Sequence, residues 1–171
     1  MKYLMFAALI AVSLVSCDNR PESTKEWEQV LEFSAQKLDP GSNTLQFDLP
    51  QTAKTFAEAN GMDPKAIQQV ELLSCEVYLE DGNNFDDVEG VTFQLSSKNA
   101  KMQQLAIAEN KEKGKKSLKL DIAKKNDAAD HFNSDKVIAV VEVNAAEGGD
   151  TEYKFKAKVK FRFTSKQTGS K

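Results

Sequence analysis

Histidine and cysteine are nearly missing from this chain of 171 residues: His131 stands alone, and Cys17 and Cys75 are the only cysteines. A histidine-based zinc centre needs more ligands than His131 and Cys75 supply together. HExxH, GxSxG, GxGxxG and the phosphate-binding loop are all absent, which removes the usual local signatures of metalloproteases, α/β-hydrolases and nucleotide binders. A Ser-His-Asp site would need His131 in a pocket beside a nucleophile. Its surroundings, "DAADHFNSD", read instead as a polar loop with an exposed histidine. Excess positive charge is also lacking. The 23 Lys and Arg face 26 Asp and Glu, whereas nucleic-acid binders are usually basic, so nucleic acid is not an expected partner.

No apolar run reaches the roughly 20 residues that a membrane-crossing helix needs. The longest is "YLMFAALIAVSLV", residues 3–15, preceded by Lys2. Its length and flanks fit the apolar region of a secretory signal. It closes in Leu14-Val15-Ser16-Cys17, which resembles a bacterial lipobox at all four positions. The resemblance implies cleavage between Ser16 and Cys17, diacylation of the Cys17 thiol and, usually, acylation of the new N-terminus. Two or three chains anchor far better than one, because each buried CH2 contributes about 0.8 kcal/mol. The expected organisation is a signal peptide at 1–16, lipidated Cys17 with a polar tether to residue 26, one domain over 27–165 and a flexible tail at 166–171. Cys75 would then be the one free thiol. It lies in an apolar alternation and reads as a small buried hydrophobe. Asp18 resembles the inner-membrane retention signal of enteric lipoproteins, but the overall pattern suggests the outer membrane of a Gram-negative bacterium, so the leaflet stays open.

The rest of the chain reads mainly as strands of period two. "WEQVLEFSA" (27–35) would as a strand turn Leu31, Phe33 and Ala35 one way, and its spacing also fits a short helix. "TLQFDL" (44–49), "VTFQLS" (91–96), "MQQLAIA" (102–108), "SLKLDIA" (117–123) and "KVIAVVEV" (136–143) follow as strands. In "VELLSCEVYLE" (70–80), Leu73, Cys75, Val77 and Leu79 would face inward. One short helix is expected near 51–60, stopped by Asn60-Gly61, with a further helical turn from Asp63-Pro64. Residues 124–135 read as a loop or short helix. "NAAEGGD" (144–150), with its paired glycines, reads as a hairpin turn. One-sided alternation with polar turns points to a two-layer antiparallel β-sandwich, Ig-like in architecture, with a small closed barrel as the alternative. Lipobox and sandwich together resemble the small β-sandwich lipoproteins of the Bacteroidota; that likeness carries no catalytic motif and transfers no site.

Three groups of residues invite a functional reading. The first is the row "EYKFKAKVKFRF" (152–163). Tyr153, Phe155, Ala157, Val159, Phe161 and Phe163 share one side; Lys154, Lys156, Lys158, Lys160 and Arg162 share the other. Five like charges on a strand face repel unless neighbouring strands supply acids, and Glu142, Glu76 and Glu80 are the expected neighbours. The functional alternative is a stripe for anionic glycans or lipopolysaccharide phosphates. The second group is the loop 80–89, where Asp81, Asp86, Asp87 and Glu89 are candidate calcium ligands; it fails the EF-hand pattern at Phe85, and a solvated acidic turn is the simpler reading. The third is Phe85 and Phe132, apolar residues in polar loops, expected to fold back onto the core. The function expected is a lipid-anchored, non-enzymatic module that binds an envelope protein or glycan, or serves assembly, with no cofactor beyond that candidate calcium. The alternative is a lipid-anchored hydrolase working on glycans through carboxylates, which need no local motif.

Overall fold

The computed structural model describes residues 22–80, 83–148 and 150–166. In chain order the elements are β1 (Glu22–Glu32), β2 (Gln36–Lys37), β3 (Gly41–Leu49), helix α1 (Ala53–Ala59), a 3-10 turn (Pro64–Ala66), β4 (Ile67–Leu79), β5 (Val88–Ser97), β6 (Gln103–Glu109), β7 (Ser117–Lys119), β8 (Asp121–Ile122), helix α2 (Ala129–Phe132), β9 (Val137–Ala145), β10 (Glu152–Tyr153) and β11 (Phe155–Lys166). They form a two-layer antiparallel β-sandwich. One sheet has the order β1-β11-β4-β7, the other β3-β9-β5-β6-β8, and β2 and β10 pair as a small ribbon. Among the described residues, two open sheets replace the alternative of a closed barrel.

The core follows from the alternation. Phe155, Ala157, Val159, Phe161 and Phe163 of β11 are fully buried and face Leu45, Val91, Phe93, Val141 and Val143 of the other sheet within one cluster. Burying each large apolar side chain contributes roughly 1.5–3 kcal/mol. At one end of the sandwich α1 closes the cluster: Thr52 and Thr55 cap it reciprocally, and Phe56 stacks on Phe163 at 3.9 Å between ring centres. Phe132 of α2 packs edge-on against Trp27, Phe161 and Phe163. At the other end Phe85 meets Phe155. Both loop phenylalanines are wholly buried, as expected.

Several boundaries differ from the expectation, each because pairing overrides local composition. Residues 22–26, assigned to the tether, open β1, because β11 offers them partners from Lys166 to Arg162. That strand ends at Glu32, so Ala35 is exposed rather than turned inward with Leu31 and Phe33. Lys166, placed in the tail, ends β11 opposite Glu22. Leu73 is only half-buried. A bulge in β4 sets Lys160 opposite Ser74 and Phe161 opposite Leu72, leaving Leu73 unpaired and shifting the inward phase to Val70 and Leu72. Residues 117–123 are two short strands in different sheets, and Leu120 bridges them with its N–H on the Cys75 carbonyl at 2.9 Å. The segment 144–150 is no hairpin: β9 and β11 lie in opposite sheets, and the connection is captured by the β2–β10 ribbon and by Lys37–Asp150 at 2.9 Å.

Candidate functional site

The basic row of β11 lies on the outer face of a central strand, flanked by β1 and β4. Its inward partners are buried, so the orientation matches the sequence. What the neighbours supply is an acid for every cation. Lys154 meets Glu80 at 2.5 Å. Lys156 meets Glu32 at 2.9 Å and Glu80 at 2.6 Å. Lys158 meets Glu28 at 2.9 Å, and Lys160 meets Glu26 at 2.6 Å. Arg162 lies 3.6 Å from that same Glu26. Glu76 stands directly across from Lys158. Three of these pairs, Lys156–Glu80, Lys158–Glu28 and Lys160–Glu26, reach diagonally to the strands on either side, a separation that long side chains span.

The charges respond accordingly. The Lys160 ammonium, and behind it Arg162, holds the Glu26 carboxyl below its usual range. Lys154 and then Lys156 do the same for Glu80. Lys156 is raised by Glu80 and Glu32. It is also the most enclosed cation of the row, with 14% of its side chain exposed. Of the expected neighbours, Glu80 and Glu76 are present, and Glu142 is not. Glu142 sits on β9 in the other sheet, where it accepts a hydrogen bond from Gln94 Nε2 at 2.7 Å. The acids missed from sequence, Glu26, Glu28 and Glu32, lie on β1. Their own alternation with Trp27, Gln29 and Leu31 was the available signal.

The acidic loop is built into the end of the sandwich that holds Phe85. Asp86 Oδ1 accepts from the Gly114 N–H at 2.5 Å, and Asp87 Oδ2 accepts from the Tyr153 hydroxyl at 2.8 Å. Glu89 Oε2 accepts from Asn144 Nδ2 at 2.7 Å. Burial, aided by Asp87, pushes the Tyr153 phenol up to about 12. The three carboxylates thus serve three separate hydrogen bonds, and no group of three potential metal ligands occurs among the described residues. Asp81 lies outside the described residues, as do Cys17 and its signal.

His131 is not the exposed loop residue that its sequence surroundings imply. It lies in α2, is 1% exposed, and its Nδ1 stands 3.1 Å from Ser97 Oγ. Burial lowers its pKa, against the opposing pull of Asp130. The apolar side of a one-turn helix explains the error: Phe132 must reach the core, and the histidine beside it goes under with it. Cys75 is fully buried as expected, and burial pushes its thiol up to about 12.

An open groove of about 1100 Å³ lies at the helical end. Its floor includes Leu49, Pro64, Ile67 and Phe132, and Lys54, Lys65, Asp63 and Asp135 stand among its lining residues. Asp48, also in the groove, pairs with Lys136 at 2.8 Å, and Asp63 Oδ1 accepts from the Lys65 N–H at 2.9 Å.

No family model matches the chain, and no curated protein matches it. Two solved structures resemble it distantly. One is a semi-empty virus-like particle of the giant freshwater prawn Macrobrachium rosenbergii nodavirus, 8% identical, with a TM-score of 0.33 over 88% of this chain and 98% of that one. The other is the mud crab tombus-like virus, 10% identical, with a TM-score of 0.34 over 99% of this chain and 92% of that one. These values are too low to transfer a function. The groove itself was not foreseen. Its walls come from three segments far apart in sequence, near residues 50, 65 and 134, and no local pattern marks such a meeting.

Proposed function

We propose that this chain is a lipid-anchored protein of the bacterial cell envelope, acting as a non-enzymatic binding or assembly module. The observation that carries the reading is a juxtaposition: the lipobox-like Leu14-Val15-Ser16-Cys17 ends five residues before Glu22, the first described residue of the sandwich. An apolar segment followed at once by a folded domain suits a protein held close to a bilayer. The outer membrane of a Gram-negative bacterium is the compartment proposed, and an envelope protein or glycan the partner. The test is mass spectrometry of the mature N-terminus, with fractionation of a Cys17→Ser variant. An acylated Cys17, and release of the variant from membranes, are expected; an unmodified N-terminal peptide would overturn the reading.

The groove offers some support to a hydrolase, since Asp48, Asp63 and Asp135 line it. A carboxyl acting as general acid needs a desolvated setting. Asp48 instead is 64% exposed and faces Lys136, and Asp63 caps the 3-10 turn. The arrangement therefore suits binding better than proton transfer. Glycan hydrolysis that disappears in Asp135→Asn would reverse that preference.

A further inference from the structure

The strand register shows which end of the sandwich the anchor would leave from. Glu22 lies opposite Lys166, and Ser165 lies opposite both Ser23 and Ile67. The start of β1, the end of β11 and the start of β4 therefore meet at one end. In the other sheet Leu49 is opposite Val137, and Val137 is opposite Ser97, at that same end. This is the end carrying α1, the 3-10 turn, α2 and the groove. The acidic loop and the 109–116 turn are joined to each other at the opposite end, where the Phe85 N–H donates to the Lys115 carbonyl at 2.8 Å. β4 alone spans 13 residues, roughly 40 Å at about 3.3 Å per residue. Five peptide steps from Cys17 to Glu22 reach at most about 18 Å. The chain outside the sandwich is thus too short for the far end to replace the groove end beside the anchor.

Charge follows the same axis. Around the groove end, the segments 48–67, 98–102 and 123–136 carry seven lysines against six carboxylates. At the far end, the described residues of 80–89, 109–116 and 145–152 carry nine carboxylates against four lysines. An anionic membrane surface attracts lysines near it and repels acids, over about a Debye length. Among the described residues, Lys54 and Lys65 of the groove form no ion pair.

We propose that the groove end rests in the headgroup layer, with Lys54 and Lys65 on lipid phosphates, and that the acidic end points away from the membrane, open to partners. This rests on the lipid-anchor reading. The test uses protein isolated from membranes, verified as acylated by mass spectrometry and reconstituted into phosphatidylglycerol–phosphatidylethanolamine vesicles with a headgroup-linked nitroxide quencher. A fluorophore is placed through Asn133→Cys at the groove or Glu112→Cys at the far end; Cys75, being buried, stays unlabelled. Quenching several-fold stronger at 133 than at 112 is expected. It should weaken in a Lys54→Gln, Lys65→Gln double variant and in vesicles without the anionic lipid. Equal or reversed quenching on acylated protein overturns the orientation alone. Unchanged quenching in the double variant overturns the lysine–phosphate contact. Protein without acyl chains overturns the anchor reading beneath both.

Discussion

The two sides of β11 face different tasks. On the inward side Phe155, Ala157, Val159, Phe161 and Phe163 are closed off from water within one cluster. On the outward side Lys156, Lys158, Lys160 and Arg162, with Lys154 just before the strand, remain partly solvated, each beside a carboxylate. The inward side is held by burial, which needs only apolar neighbours of the right size. The outward side is held by pairing, which needs particular residues on particular strands. Alternation therefore shows which side is which, but says nothing about whether the charged side is free or already matched.

The largest difference between the sides should appear on truncation. Phe161 stacks on Trp27 at 5.9 Å and touches Phe132 at 5.1 Å between ring centres. Phe161→Ala should cost about 3–5 kcal/mol in chemical denaturation, as for other large core truncations. A variant as stable as the parent would mean that the apolar side does not form the core. Next comes Lys156→Ala, which takes away the partner of Glu32 and leaves Glu80 with Lys154 alone. It should lower Tm measurably, yet less than Phe161→Ala and more than Lys158→Ala, which leaves only Glu28 without its partner. Equal effects of the two lysine changes would remove the special standing of Lys156.

Acid should act on the outward side in the same sense. Glu26 and Glu80 have folded pKa values below the ordinary 4.5, so their stabilisation is complete above that value and disappears as pH falls through the folded ones. His131, lowered from 6.5 by burial, adds a loss that begins earlier, because below pH 6.5 the unfolded chain takes up a proton that the buried ring resists. Tm should therefore decline on going from pH 7 to 5, and His131→Asn should flatten that stretch without altering the decline below pH 4.5. The smallest expected effect is that of calcium. With Asp86, Asp87 and Glu89 engaged separately, millimolar calcium should leave Tm unmoved, whereas tight binding would raise it by mass action.

The sandwich class, the short helix, the orientation of β11 and the burial of Cys75, Phe85 and Phe132 were all legible, because each depends on local periodicity or on the cost of leaving an apolar ring in water. What was not legible depends on strand neighbours. Glu22–Glu26 looked like tether because their partners lie more than 130 residues away on β11. The paired glycines at 148–149 suggested a hairpin, although β9 and β11 belong to different sheets. Leu73 broke phase at a bulge that one strand alone does not reveal. His131 sank because the residue beside it had to. The groove needed three distant segments to meet.

The central claim is that the five cations belong to the fold rather than to a ligand, and one comparison tests it most directly. Lys156, Lys158 and Lys160 are replaced together by glutamine, and both Tm and retention on lipopolysaccharide are measured at low and moderate salt. Lower stability at low salt, with the gap to the parent narrowing as salt screens the pairs, and unchanged retention, is the expected result. Unchanged stability with lost retention would contradict it and make the row a binding stripe.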